Sequence, residues 1–231
     1  VMNNIIYYNS FDNGSGRGWT VGKNNPEKKG DYWHQNILGH YGGGSVPGWD
    51  REGGFIFSES PWYFDDNHGE FSWFHLIFRM ENSTDAGIEG ADMQNAEVDF
   101  RIRGWNLELK GTRIYFWIQG KGGHKGFYTG EVLYNWALTS QPVEHVLRDG
   151  RWHDVKLKLY NDESRWSQLG LINGGLARGI RVTQSRSAAD GTLEGILGGK
   201  HWNWGLLLCD VDPLDQPEGR IDLDDFRITG Q

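Results

Sequence analysis

Apolar and polar residues alternate along this chain in short runs, and no stretch of useful length carries the spacing of an amphipathic helix. Ile5-Ile6-Tyr7-Tyr8 leads into Phe11, and Phe55-Ile56-Phe57-Ser58 follows a glycine pair. Phe71 to Met80 reads as a long strand. From Glu97 to Arg103 the acids and arginines Glu97, Asp99, Arg101 and Arg103 fall on one side, and Val98, Phe100 and Ile102 on the other. Arg113, Tyr115, Trp117 and Gln119 oppose Ile114, Phe116 and Ile118 in the same way. Asp154 to Tyr160 repeats the pattern with Val155, Leu157 and Leu159, Leu206-Leu207-Leu208 reads as a buried strand, and Ile221 to Ile228 closes the series. The clearest turns lie at Gly120 to Gly126 and Arg148-Asp149-Gly150. Many strands separated by turns predict an all-β antiparallel sandwich or barrel and argue against a βαβ fold.

Two stretches resist this reading. Gly14 to Gly54 is long, glycine-rich and aromatic, and reads as loop with short strands, a length that usually has a task. Ser164 to Ala189 fits a short helix, a long loop or an edge strand. There is no internal repeat and no linker, so 1–231 is expected to form a single β-sandwich domain.

Composition narrows the function. The 231 residues include 34 glycines, about twice the usual ~7%, and 12 tryptophans, more than one core of this size needs. Some indoles are therefore expected at the surface, where a flat aromatic face asks for a partner. The net charge of -8 leaves no basic footprint for nucleic acid, and a strongly acidic polysaccharide is a less natural partner unless a local basic face overrides the mean. Cys209 is the only cysteine, so no internal disulfide forms. No apolar run approaches the ~18 residues of a membrane span, so no membrane insertion is expected. Val1 opens no recognisable signal peptide, which fits a mature or excised piece of a larger multidomain protein. Asn82-Ser83-Thr84 forms a glycosylation sequon.

Two ends of the sequence carry a resemblance. Asn9-Ser10-Phe11-Asp12-Asn13-Gly14 with Gly18-Trp19 resembles the opening of carbohydrate-binding jelly rolls, and Gly219-Arg220-Ile221-Asp222-Leu223-Asp224-Asp225-Phe226-Arg227-Ile228 resembles their closing strand. The pairing is similar to galactose-binding-like modules of the family 4 and family 22 type. It is also similar to laminin-B-type domains and, more loosely, to laminin-G/concanavalin-like sandwiches. Ser60-Pro61-Trp62-Tyr63-Phe64 and Arg103-Gly104-Trp105-Asn106-Leu107 resemble laminin-B patterns. The resemblance implies a jelly-roll-like β-sandwich whose first and last strands are adjacent, an extracellular or cell-surface setting, and a polysaccharide or glycan partner. It also implies a structural calcium shared by an acidic residue of the first strand and an aspartate of the last. Asp12 and Asp224 match those positions, with Asp50 or Glu52 as a loop ligand and Asp222 on the same face as Asp224.

Candidate chemistry falls in three places. Arg113, Tyr115, Trp117 and Gln119 suit a sugar, since aromatic faces stack on C–H patches and planar polar groups bond hydroxyls; Arg101 and Arg103 join them if the two strands are neighbours. The competing assignment makes Tyr115 and Trp117 a second buried layer. The loop aromatics Tyr32, Trp33, His34, His40, Tyr41, Trp49 and Trp62, and later His201, Trp202 and Trp204, form the second place; Trp33-His34 and the Trp202/Trp204 pair are densest, and one of these two is expected to touch ligand. For an enzyme, Glu97 and Asp99 could flank a glycosidic bond, but Arg101 and Arg103 on their face make an ion-pair ladder the simpler account. The three alternating acids of laminarinase-type hydrolases are absent, since position 101 is arginine. A lyase would need a set such as His75, Tyr115 and Arg113. The expectation is a non-catalytic, lectin-like carbohydrate-binding domain, with a jelly-roll polysaccharide lyase or glycoside hydrolase, or a laminin-type adhesion module, as alternatives.

Overall fold

The computed structural model describes residues 4–12, 18–20, 54–60, 62, 75–80, 83, 86–122, 132–169, 192–212 and 214–231. Eleven strands are present among them: β1 (Asn4–Asn9), β2 (Trp19–Thr20), β3 (Ile56–Glu59), β4 (His75–Met80), β5 (Glu97–Glu108), β6 (Arg113–Gly122), β7 (Val132–Ala137), β8 (His153–Lys158), β9 (Ser167–Leu169), β10 (His201–Cys209) and β11 (Glu218–Gly230). They form two antiparallel sheets. One runs β1-β11-β5-β8, with β3 also paired to β11; the other runs β2-β4-β10-β6-β7-β9. The first and last strands are adjacent, as the resemblance implied, with Asn4 opposite Gly230 and Asn9 opposite Phe226. The fold is a jelly-roll-like β-sandwich.

Residues of β11 from Arg220 to Leu223 pair with β3, and those from Phe226 to Gly230 pair with β1, so two short strands share one edge of a long one. Asp224 and Asp225 occupy the seam between them. The ladder to β5 bulges there, and Asp225 turns to φ 49°. On the facing side Gly54 donates its N–H to Asp12 Oδ1 at 3.1 Å. A Cβ at Gly54 would lie 2.3 Å from the Phe11 carbonyl oxygen, so only glycine permits this approach.

The core between the sheets follows from the alternation. Val98, Phe100 and Ile102 of β5 and Ile114, Phe116 and Ile118 of β6 face inward. Phe226 stacks on Phe100 at 5.6 Å and on Trp204 at 5.5 Å, with Trp19 meeting it edge-on at 5.0 Å. Trp19, Trp62, Trp136, Trp166 and Trp204 all lie in this core. Three of them spend their indole N–H on a partner: Trp19 on the Tyr7 hydroxyl, Trp62 on Ser58 and Trp166 on the Tyr160 carbonyl, each at 2.8 Å. Much of the tryptophan surplus is thus internal.

One local expectation is extended, one left open is resolved in part, and one is overturned. Leu206-Leu207-Leu208 belongs to a strand running from His201 to Cys209. The described start of the Ser164–Ala189 stretch is an edge strand, β9, after a short helical turn at Glu163–Arg165. And β5 and β6, consecutive in sequence, belong to different sheets, so Arg101 and Arg103 do not flank Arg113, Tyr115, Trp117 and Gln119.

Candidate functional site

The outward face of the six-stranded sheet gathers Arg113, Tyr115, Trp117 and Gln119, because residues two apart on β6 project together. Registers with β10 and β7 arrange their neighbours in rows across the strands. Asn203, Gln119 and Asn135 form one row; Gly205, Trp117 and Ala137 the next, with Arg79 of β4 beyond Gly205; Leu207 and Tyr115 follow, then Cys209 and Arg113. The first row is a hydrogen-bonded relay of side-chain amides. Asn203 Nδ2 donates to Gln119 Oε1 at 2.7 Å, and Gln119 Nε2 donates to Asn135 Oδ1 at 2.8 Å. Uncharged amides tolerate burial when they satisfy one another.

Gly205 stands between Arg79 and Trp117 with φ 155°. A Cβ there would fall 2.1 Å from the Phe78 carbonyl oxygen, so the close approach of β4 excludes any other residue, and no side chain separates the Arg79 and Trp117 positions. Tyr115, Trp117, Ala137, Leu207 and Cys209 pack as an apolar cluster distinct from the inter-sheet core. Trp117 is 2% exposed, and its indole N–H is buried without an acceptor among the described residues. Burial pushes the Tyr115 hydroxyl up to about 12 and the Cys209 thiol up as well, so both are protonated at neutral pH and neither is a base or a nucleophile there.

Arg113, at the end of this face, is engaged by Glu144 (Nε to Oε1, 2.5 Å). Trp202 lies on β10 part-buried, its carbonyl accepting from the Ser83 backbone N–H at 2.7 Å. Trp204 faces inward, fully buried between the sheets. Trp33, His34, Asp50 and Glu52 lie outside the described residues, as does the His75 side chain. Asn135 and Arg79 were not among the residues singled out from sequence. The Tyr134-Asn135-Trp136-Ala137 alternation carries the signal for Asn135, a lone amide on the side of a strand opposite two aromatic rings.

The outward face of the five-stranded sheet is built differently. Lys156 of β8 reaches Glu97 at 3.1 Å and Asp99 at 3.5 Å, so the acid pair sits in an exposed cross-strand ion-pair ladder, held by Lys156 rather than by the arginines of its own strand. Tyr8, 45% exposed, lies beneath the Arg227 guanidinium at 4.7 Å, beside a groove of about 560 Å³. Farther along, aromatic rings and guanidiniums alternate. Trp105, 36% exposed, faces Arg220 at 5.5 Å, and Arg220 lies over Phe57 at 5.3 Å and Phe55 at 5.9 Å. Phe55 then meets Arg103 at 5.4 Å, Arg103 lies over Trp152 at 4.4 Å, and Trp152 lies under Arg101 at 5.3 Å. Both Arg103 and Arg220 bond the fully buried Asp222 (Nη2 to Oδ2 2.7 Å; Nε to Oδ1 2.6 Å). Burial raises the Asp222 carboxyl even though the two guanidiniums pull it down.

At the β11 seam, burial pushes the Asp224 carboxyl up to about 7, helped by the like charges of Asp225 and Asp12, against the pull of Arg101. Asp222 shares the outward face of Asp224 but is committed to its two arginines. A calcium ion takes six to eight oxygens. Among the described residues no group of three acids, histidines or cysteines assembles for a metal.

No family model and no curated protein matches this chain. Among solved structures it is similar to the one described as the solution structure, dynamics and binding studies of CtCBM11. The two are 12% identical, with a TM-score of 0.40, over 94% of this chain and 98% of that one. The fold itself rests on the strand pairings above.

Proposed function

We propose that this chain is a non-catalytic carbohydrate-binding domain, with a polysaccharide or glycan held against the outward face of the six-stranded sheet. One observation carries the reading: an unpaired, buried indole N–H on Trp117 lies one row from an amide relay and across Gly205 from an arginine. Amides and guanidinium bond vicinal hydroxyls, an indole face packs on sugar C–H groups, and an indole N–H lacking an acceptor gains one when a hydroxyl oxygen arrives. Leaving such a donor unmet costs about 1–3 kcal/mol, which a ligand recovers. Tyr115 extends the apolar platform, Arg113 stands at its end, and Trp202 of β10 is assigned to the same ligand. Because the face is buried, a sugar reaches it only with local rearrangement, and association slower than the usual ~10⁵–10⁷ M⁻¹s⁻¹ is expected.

The test is a glycan array followed by calorimetry on Trp117→Phe. That variant keeps an aromatic ring but deletes the N–H donor, so it should remain folded and bind at least about fivefold more weakly, the worth of roughly one hydrogen bond. Silence across the array removes the reading in favour of a protein-binding adhesion module. Release of reducing ends or unsaturated products from a polysaccharide panel would replace it with a hydrolase or lyase.

Two further elements belong to the same proposal. Asp12 and Asp224 share a structural calcium with Asp50 or Glu52 completing the set, and the ion pins the seam where the first and last strands meet. A melting midpoint unchanged by EGTA would sink this. The setting is extracellular or cell-surface, where polymeric glycans are met.

A further inference from the structure

We infer that a pocket at one end of the sandwich, remote from the amide relay, binds the carboxylate of a uronic-acid residue. The pocket, about 400 Å³, lies between the β5–β6 connection and the helical turn Glu144–Asp149, and its volume falls within the ~300–1,000 Å³ of small-molecule sites. Its lining includes Leu107 and Leu147, Thr112, Arg113, Arg148 and Glu144.

Local backbone chemistry makes this pocket. Lys110 and Gly111 both take positive φ (49° and 83°), and the Thr112 N–H donates to the Leu109 carbonyl at 2.8 Å, so the chain reverses in a tight turn. That turn delivers Thr112 to the pocket. Thr112 is 2% exposed and its hydroxyl has no hydrogen-bond partner among the described residues. A buried hydroxyl without a partner is uncommon and is satisfied when a ligand supplies an oxygen.

One cation at the pocket stands uncommitted. Glu144 is fully engaged: Oε1 takes Arg113 Nε at 2.5 Å and Oε2 accepts the Ile114 N–H at 3.1 Å. It offsets one guanidinium. Lys110 is held outward by Asp215 at 3.0 Å and Glu218 at 3.3 Å. Arg148, exposed in the last turn of the helical segment, enters no ion pair among the described residues. Arg148 is thus the guanidinium left for a ligand, beside an apolar floor. An arginine fork matches a carboxylate bidentately, and the leucines suit the C–H face of a pyranose ring. The sugar half of this assignment rests on the carbohydrate-binding reading; the carboxylate half does not.

The test is a heteronuclear NMR titration of the chain with glucuronate, glucose and cyclohexanecarboxylate. Glucuronate should shift the amides of Gly111, Thr112, Leu147 and Arg148 saturably, and glucose should leave them in place. Arg148→Gln should preserve spectral dispersion and weaken glucuronate binding roughly tenfold, the usual scale of a charge-assisted contact. Thr112→Val, nearly isosteric, should weaken it by about threefold or more. Equal shifts with glucose, or an unchanged affinity in Arg148→Gln, would overturn the site. Cyclohexanecarboxylate binding as tightly as glucuronate overturns the uronate assignment. Loss of neutral-glycan binding at the six-stranded face alone would count against that reading and leave this pocket standing.

Discussion

The two outward faces of this sandwich arise from the same period-two alternation and meet burial in opposite ways. On the six-stranded sheet the buried polar groups include neutral amides that satisfy one another in a directional relay, Asn203 to Gln119 to Asn135, beside one buried guanidinium, Arg79. On the five-stranded sheet they are ions, two guanidiniums closed onto the buried Asp222 and layered between aromatic rings. Taking an ion out of water costs far more than taking out an amide, so the ionic face holds only while every charge keeps its partner, whereas the amide face can lend a donor to a ligand. Fixity sits on the five-stranded sheet, and the recognition proposed above on the other.

The comparison breaks most violently at Asp222. Asp222→Ala leaves Arg103 and Arg220 buried around a missing carboxylate and should destabilise the chain by about 3–5 kcal/mol in urea denaturation. A loss below about 1 kcal/mol would mean that the ionic face is not what it is taken to be. Gln119→Ala cuts the relay at its middle and strands an Asn203 donor and an Asn135 acceptor, with an expected loss of about 1–3 kcal/mol. Its glycan affinity should fall with it, while Asp222→Asn should leave affinity intact.

A pH effect separates the sheets further. His201, at the start of β10, holds Ser83 Oγ at 2.6 Å and the Ala91 carbonyl at 2.9 Å, and burial lowers its affinity for a proton. With its folded value below the ordinary ~6.5, the unfolded chain takes up the proton first. The stability His201 contributes is therefore full above that value and is lost as pH falls through the lower folded one. Melting midpoints from about pH 7.5 to 5 should drop more steeply in the parent chain than in His201→Gln. The smallest effect belongs to Lys156→Ala, which removes an exposed partner of Glu97 and Asp99 and should lower the melting midpoint only slightly, the difference vanishing in high salt.

The alternation of Glu97–Arg103 and Arg113–Gln119 was enough to assign each residue a face, and those assignments agree with the register. It could not assign the sheet. Consecutive strands joined by a tight turn at Lys110-Gly111 look like a hairpin, yet β5 pairs with β11 and β8, and β6 with β10 and β7. Partner choice is set by packing across the whole sandwich, to which local periodicity is blind. For the same reason Asn135 went unnoticed: its meaning lies in Gln119, sixteen residues away in sequence and 2.8 Å away in space. The tryptophan count misled in one direction. Trp204 and its neighbours are consumed by the core, while Trp105, exposed at the end of the cation–π ladder, drew attention only as part of a laminin-like fragment.

The shared edge of β11 also has a mechanical meaning. Because β1 runs antiparallel to β11 with Asn4 opposite Gly230, tension applied through those two residues loads one hydrogen-bonded pair at a time and unzips the strands instead of shearing them. The peel travels only as far as Asn9 and Phe226, where the neighbour changes and Asp12 grips the Gly54 amide. A calcium ion there, as proposed above, would stand where the peel ends, so the residues that close the fold would also be its force-bearing stop.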